Sequence, residues 1–330
     1  MSIHKMNFCF FTLFYFSKFF YSKIKVSFLG SSVTAQKEGY VTVLQNLNSE
    51  KFDFYRYGYG GIGINPCSFD KAFENKPDLI VFDWAIKGTD MDVLRLINAS
   101  IFRAIEENTL PIYLILPQID LSNPEVLANS AMIENIKSAS MLLNFSFFDL
   151  TNKFSGTELR NDLLYDSCHT KFKGAEKYAS YIFDFLNENN IKTPLKPDIN
   201  PSIAYPKFLN INMDVFKNIE FYLEGEIFAF FQKVGPYSNY IDIFLGSEKI
   251  RTEQIWDRWC IYERRAILEP NLGFTKKKVH FVVLNNTFER NTKENNIQWS
   301  IYAPKLHLDE MCYSGHLEKV VIDDEHKIFA

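Results

Sequence analysis

Lys25-Val-Ser-Phe-Leu-Gly-Ser-Ser-Val-Thr34 is the stretch on which the reading of this chain turns. Val26, Phe28 and Leu29 form an apolar run of strand length, and Gly30 closes it with a residue tolerant of unusual backbone angles. Ser31, Ser32 and Thr34 follow as small hydroxyls. Open α/β sheets place ligands beyond the carboxyl ends of their strands, so a serine here stands where chemistry is done. Gly-Ser-Ser is also common in ordinary loops, and the stretch needs support from elsewhere in the chain.

That support begins with the elements that follow. Gly39 to Leu47 has helical spacing, and Phe52 to Tyr57 alternates like a strand that ends in Gly58-Tyr-Gly-Gly-Ile-Gly63. Asp78 to Ala85 reads as a buried strand, and Met91 to Glu107 as a helix through Val93, Leu94, Ile97, Ile101 and Ile105. Pro111 to Pro117 is a strand bracketed by prolines. Pro124 to Leu143 is a helix, Ser146 to Leu150 a short strand, and Gly174 to Leu186 a helix. Strands alternating with helices predict a parallel sheet covered on both faces.

Near Thr193 the pattern changes. Pro194, Pro197, Pro201 and Pro206 crowd a short stretch that reads as a linker. Beyond it come β-like runs at Ile219–Leu223, Ile227–Gln232, Tyr240–Leu245, Val279–Leu284, Ile297–Tyr302 and Leu317–Ile322, with no strong helical period. The expected organisation is an apolar lead-in over 1–22, an α/β domain over 23–192, a linker over 193–206 and a sandwich-like all-β domain over 207–330.

Composition narrows the function classes. The 330 residues are 47% hydrophobic and 23% charged with a net charge of -4, as in globular proteins with large cores. A mildly acidic chain lacks the basic face that nucleic acid requires, so no nucleic-acid partner is expected. Five scattered cysteines (Cys9, Cys67, Cys168, Cys260 and Cys312) show no paired metal-ligand spacing. They argue against a disulfide framework and for a reducing compartment, so the expected location is cytoplasmic. His280, His307 and His316 show no ligand spacing either, and neither metal nor cofactor is expected. The Phe-rich run from Asn7 to Phe20 is short for a membrane span and lacks a convincing cleavage site. It reads as an amphipathic or partly buried lead-in, open to peripheral membrane contact, or as the product of a start codon placed too early. A signal-peptide core, and with it export, remains the alternative.

A second informative stretch is Asp162-Leu-Leu-Tyr-Asp-Ser-Cys-His-Thr-Lys-Phe-Lys-Gly174. Asp166 and His169 lie three apart on a loop before a helix expected to open near Gly174. A carboxylate can orient an imidazole, which can then deprotonate a serine. Read alone, Asp-x-x-His is equally an exposed loop with a solvated acid. Cys168 is read as a small loop residue rather than a nucleophile.

Taken together the stretches are far more specific. Gly30-Ser31-Ser32-Val33-Thr34 resembles the Gly-Asp-Ser-x-Thr block of the SGNH/GDSL hydrolase superfamily, Arg56 to Gly61 its second block, and Asp166-Ser-Cys-His169 its final Asp-x-x-His block. The resemblance covers about residues 23 to 190. It implies a flavodoxin-like three-layer α/β/α domain, Ser32 as nucleophile, His169 as base and Asp166 as its orienting partner. It also implies an oxyanion hole built from the Ser32 and Gly61 amides and a third-block asparagine. Two positions depart from the pattern. The aspartate of the first block is Ser31, and the asparagine falls on Lys87 in Asp83-Trp-Ala-Ile-Lys-Gly88. Lys87 is either an oxyanion donor in its own right or a solvated loop residue.

The expected activity is hydrolysis of an acyl ester, with a small molecule or an O-acylated glycan as substrate. Two alternatives stand beside it: an O-acetyltransferase of a surface polysaccharide using the same triad, and a non-catalytic glycan-binding protein on a degenerate scaffold. Trp256 to Arg264 groups aromatics with charges, as sugar-binding surfaces and aromatic strand edges both do. The sequence leaves the oligomeric state open.

Overall fold

In a computed structural model the described residues are 22–60, 63–84, 93–123, 128, 130–188, 191–255, 263–284, 303–324 and 326–328. Five parallel strands form the first sheet: β1 Ile24–Gly30, β2 Phe52–Gly58, β3 Leu79–Phe82, β4 Leu110–Ile115 and β5 Ser146–Asp149. Their order is β2-β1-β3-β4-β5. The central strands β1, β3 and β4 are largely apolar and buried on both faces, whereas the edge strands β2 and β5 are only partly covered.

Alternate side chains sort into two cores. Leu29, Ile80, Phe82, Tyr113 and Ile115 pack against the helices Val93–Glu106 and Ser130–Leu143. Val26, Phe28, Val81, Ile112 and Leu114 pack on the other face against Tyr40–Asn46 and Phe172–Asn187. The result is the expected three-layer α/β/α domain. The last helix begins two residues before Gly174, at Phe172. Gly174 serves packing instead: a Cβ there would lie 2.3 Å from the Leu163 carbonyl oxygen.

Residues 191–206 do not hang free between the domains. Lys192 N–H donates to Ser146 Oγ (2.7 Å) and Leu195 N–H to Leu143 O (2.7 Å), so the stretch is laid along the α/β domain. Its short helix Pro201–Ala204 is clamped by Arg103. That guanidinium reaches the Ala204 carbonyl, pairs with Asp70 and Glu107, and lies over the rings of Phe73 and Tyr205.

The second domain is antiparallel. Its strands are β6 Lys207–Val215, β7 Asn218–Val234, β8 Tyr240–Leu245, β9 Glu248–Gln254, β10 Arg264–Leu268, β11 Lys278–Val283, β12 Leu306–Ile322 and β13 His326–Ile328. The runs at Ile219–Leu223 and Ile227–Gln232 belong to the single strand β7. The run at Ile297–Tyr302 lies outside the described residues.

Strand β7 is folded over rather than straight. At about 3.3 Å per residue, Phe221 and Phe230 would stand roughly 30 Å apart on an extended strand. Their ring centroids are 5.2 Å apart. The fold falls at Gly225, paired with Gly315 of β12, where a Cβ on either residue would enter the partner backbone. One long sheet thereby closes on itself as a sandwich, with Phe281 packed edge-to-face against Phe221 and Phe230 in its core.

The cysteine reading is corrected here. Cys67 and Cys312, 245 residues apart, are joined by a disulfide with a Cα–Cα distance of 5.9 Å. Sequence spacing could not show this, because the bond connects the two domains and its geometry is set only once they dock. Phe228, Ala229 and Cys312 of the β domain share a core with the α/β domain, and Arg95 pairs with both oxygens of buried Glu226 (2.6 and 2.8 Å). Among the described residues no helix is long and apolar enough to cross a membrane.

Candidate active site

The chain leaves β1 for β2 on one side and returns to β3 on the other. The carboxyl ends of β1 and β3 therefore border the crevice where such sheets place ligands. Gly30 ends β1, Ser31 caps the short helix Ser32–Ala35, and Ser32 is that helix's first residue. Two glycines permit this turn. A Cβ on Gly30 would collide with the Asp83 carboxylate, and one on Gly58 would lie 2.2 Å from the Ala35 nitrogen.

The loop after Leu163 delivers the other two groups. His169 Nε2 lies 2.8 Å from Ser32 Oγ, and His169 Nδ1 lies 2.8 Å from Asp166 Oδ2. The loop is braced by Tyr165 N–H donating to the His169 carbonyl (2.8 Å) and by the Leu164–Thr170 bridge. Asp166 Oδ1 accepts the backbone N–H groups of His169 (2.8 Å) and Cys168 (3.0 Å). Partial burial raises the Asp166 pKa, but these N–H groups and the imidazole outweigh it and hold the carboxyl below its ordinary range. The carboxylate therefore stays charged and fixes the imidazole with Nδ1–H toward itself, leaving Nε2 to accept the serine proton.

Cys168 is buried beside this pair, with Sγ 3.7 Å from His169 Nδ1. Burial, with the Asp166 charge, pushes its thiol up to about 11, so it is protonated and not nucleophilic. Donor atoms of Asp166, Cys168 and His169 lie within 4.8 Å of one another. Because the acid and imidazole already engage each other and the thiol keeps its proton, the group suits proton transfer better than a cation. Gly61, Lys87 and the Trp256–Tyr262 part of the aromatic and charged run lie outside the described residues.

Two residues matter more here than their sequence context suggests. Asp83, at the end of β3, is 1% exposed. Its Oδ1 accepts the Ser31 N–H (2.9 Å), and its Oδ2 meets the Thr34 hydroxyl and that of Tyr40 (3.2 Å). It thus ties down the residues on both sides of Ser32. An acid closing a wholly apolar strand was the available signal, since a buried carboxylate needs partners to persist. Gln36 is the other. Its Nε2 donates to the Thr170 carbonyl (2.6 Å), and its Oε1 accepts from Thr170 N–H (3.1 Å) and Oγ1 (3.2 Å). It bridges the serine helix to the histidine loop across 134 residues of sequence, and no local pattern announces it.

Both lead to expected outcomes. If the site performs the ester hydrolysis expected from the sequence, Gln36→Ala should lower kcat by about 10–100-fold with little change in KM, because misplacing Ser32 costs rate rather than affinity. Steady-state kinetics on a soluble ester checks this, and a change confined to KM would contradict it. For Asp83, burial pushes the pKa up to about 6 against the opposing bonds from Thr34, Ser31 and Tyr40. The folded protein thus holds a proton that the unfolded chain has released. This contribution to stability is complete below the ordinary value of 3.8 and is lost as pH rises through 6. Asp83→Asn should remove a decline on the order of 2–3 kcal/mol between roughly pH 4 and 6. Denaturant titrations of both proteins across that range would show it, and parallel slopes would refute it.

No protein-family model and no curated protein sequence matches the chain. Among solved structures, a two-domain esterase active on acetylated mannans, co-crystallised with mannopentaose, superposes with a TM-score of 0.61. It does so at 11% identity, covering 89% of this chain and 91% of that one. A GDSL-like lipase from Bacteroides thetaiotaomicron matches at 15% identity over 50% of this chain and 88% of its own, with a TM-score of 0.39. An acetyl xylan esterase from Geobacillus stearothermophilus matches at 17% identity over 51% of this chain and 95% of its own, also with a TM-score of 0.39. The class is an α/β/α domain joined to a β-sandwich, and the two-domain esterase shares that pairing of domains as a likeness of fold.

Proposed function

We propose that the protein is a serine-dependent hydrolase of acyl esters carried on carbohydrate. The observation that carries this reading is the unbroken relay from Ser32 Oγ through His169 to Asp166, with 2.8 Å at each step. A hydroxyl is a weak nucleophile until a base takes its proton during attack, and His169 Nε2 is within reach of that proton.

In the proposed reaction Ser32 Oγ bonds to the ester carbonyl carbon as its proton passes to His169 Nε2. The carbonyl oxygen becomes an oxyanion, and Asp166 stabilises the imidazolium. Collapse breaks the carbon–oxygen bond to the sugar, whose oxygen takes the proton from His169. Water then repeats the sequence on the acyl-serine and releases the acid. The Ser32 and Gly61 amides would hold the oxyanion as the family resemblance implies, and Lys87, standing where the family has asparagine, is either a third donor or a solvated loop residue.

A carbohydrate substrate is supported by the accessory β domain and by the two-domain mannan esterase of similar fold. The test is labelling by a fluorophosphonate followed by mapping of the modified residue. Labelling of Ser32 with release of 4-nitrophenol from a short-chain ester supports the reading. A protein that neither labels nor turns over any of a panel of acyl esters would move it to the binding-protein alternative. The same panel with an added sugar acceptor separates hydrolysis from transfer.

The buried Cys67–Cys312 bond also favours an oxidising compartment over the cytoplasm first expected. Maleimide labelling of the protein from its native source, before and after reduction, tests that placement.

A further inference from the structure

A cleft of about 810 Å³ runs between the two domains. Its size falls in the range of small-ligand pockets, about 300–1,000 Å³. The α/β domain supplies Gly58–Gly60 and the Cys67–Lys71 segment, and the β domain supplies parts of β6, β7, β10 and β12. The cleft is coupled to the candidate active site by backbone. Tyr59 N–H donates to the Gly30 carbonyl (2.9 Å), and Gly58 pairs in register with Gly30, two residues before Ser32.

One lining residue points to a ligand. Gln232 is 3% exposed, yet its side-chain Oε1 has no hydrogen-bond partner among the described residues. A buried amide oxygen left unmatched is costly, and a turn of the Gln232 side chain toward the cleft it lines would let a ligand donor relieve it. Around it stand the exposed amides Asn210 and Asn212 and the partly exposed ring of Phe208, with Tyr59 across the cleft. Amides that donate and accept, beside aromatic faces, match a chain of hydroxyls and apolar sugar faces. Both signs of charge line the cleft, with two cations (Lys71 and Arg265) and three acids (Asp70, Asp309 and Glu310), so acids outnumber bases and an anionic ligand is not favoured. Burial also raises the Glu310 carboxyl above its ordinary range, which disfavours a second anion beside it. The disulfide partner Cys67 borders the same space, so the bond holds the two walls in register.

We propose that this interdomain cleft binds an uncharged oligosaccharide, with Gln232 and Asn210 as hydrogen-bonding residues and Phe208 and Tyr59 as ring platforms. The inference deepens the hydrolase reading, on which it rests for placing an ester of the bound sugar at Ser32.

The test is calorimetric titration of the whole protein with mannopentaose, xylopentaose and cellopentaose, with an oligogalacturonate as the anionic probe. Saturable binding of at least one neutral pentasaccharide is expected, weakened tenfold or more by Asn210→Ala and by Gln232→Met. Gln232→Met replaces the unmatched amide with an apolar side chain of similar length. The free protein should therefore melt at the same or a higher temperature while binding falls. Asn210 is exposed, so its variant reports on binding even if the buried change disturbs the fold. Unchanged affinity in the Asn210 variant, binding of oligogalacturonate alone, or no saturable binding by any neutral probe would overturn the proposal. Fluorophosphonate labelling of the same wild-type preparation keeps the two readings apart. Labelling without sugar binding removes only the cleft assignment, and sugar binding without labelling or turnover removes only the hydrolase.

Discussion

Replacing Ser32 with alanine is expected to abolish turnover of a soluble acyl ester, with a loss of about 10⁶-fold in kcat where the reaction runs through an acyl-serine. Among the described residues the hydroxyl's hydrogen-bond partner is His169 Nε2 at 2.8 Å, so its removal leaves the imidazole with no proton to take. His169→Ala should be nearly as damaging, and the double variant no worse than either single one, because the members act as a unit. Asp166→Asn should cost less, about 10⁴-fold, since serine and imidazole still meet. Its amide nevertheless cannot charge-stabilise the imidazolium, and it favours the wrong tautomer. All three should keep the wild-type melting profile within a small margin, because the side chains of Asp166 and His169 are substantially exposed, at 50% and 35%. Initial rates on 4-nitrophenyl acetate, beside circular dichroism melts, provide the measurement. Retention of more than a hundredth of the wild-type rate by Ser32→Ala would exclude an acyl-serine pathway.

Loss of the Cys67–Cys312 bond should have the largest effect on stability, about 3–5 kcal/mol. The bond closes a loop of 245 residues, and in the chain-entropy account longer loops restrict the unfolded state more. Both cysteines are buried where the β domain enters the core of the α/β domain. The Cys67→Ala/Cys312→Ala variant should unfold at markedly lower denaturant, and wild-type protein in dithiothreitol should approach it. The Arg95–Glu226 pair remains across the same interface, with Glu226 1% exposed, so the domains should stay docked in the variant before unfolding. Coincident denaturation curves for wild type with and without reductant would show that the bond does not contribute.

The local pattern was legible because its physics is local. Val26, Phe28 and Leu29 announce a strand buried on both faces, and Gly30 before two serines announces the turn. The helices at Val93–Glu106 and Phe172–Asn187 follow their apolar period to within a few residues. The β character of the second domain followed from its alternating runs, but its folded-over strand did not. Ile219–Leu223 and Ile227–Gln232 read as two strands because the intervening Glu224-Gly225-Glu226 looks like a turn. It proves to be the bend of one continuous strand, held by pairing with β12.

By itself the sequence determined the α/β order and the β-rich second half, and its resemblance to the SGNH/GDSL blocks picked out Ser32, Asp166 and His169 as a candidate set. Tertiary structure alone decided what joins across the fold. Gln36 meets Thr170, Asp83 meets Ser31 and Thr34, and Cys67 meets Cys312 because strand order and domain docking bring their loops together. Such contacts depend on side-chain partners tens to hundreds of residues away, and no periodicity along the chain encodes them. The cleft arises for the same reason: its walls come from two domains, and neither wall is a site until the other is in place.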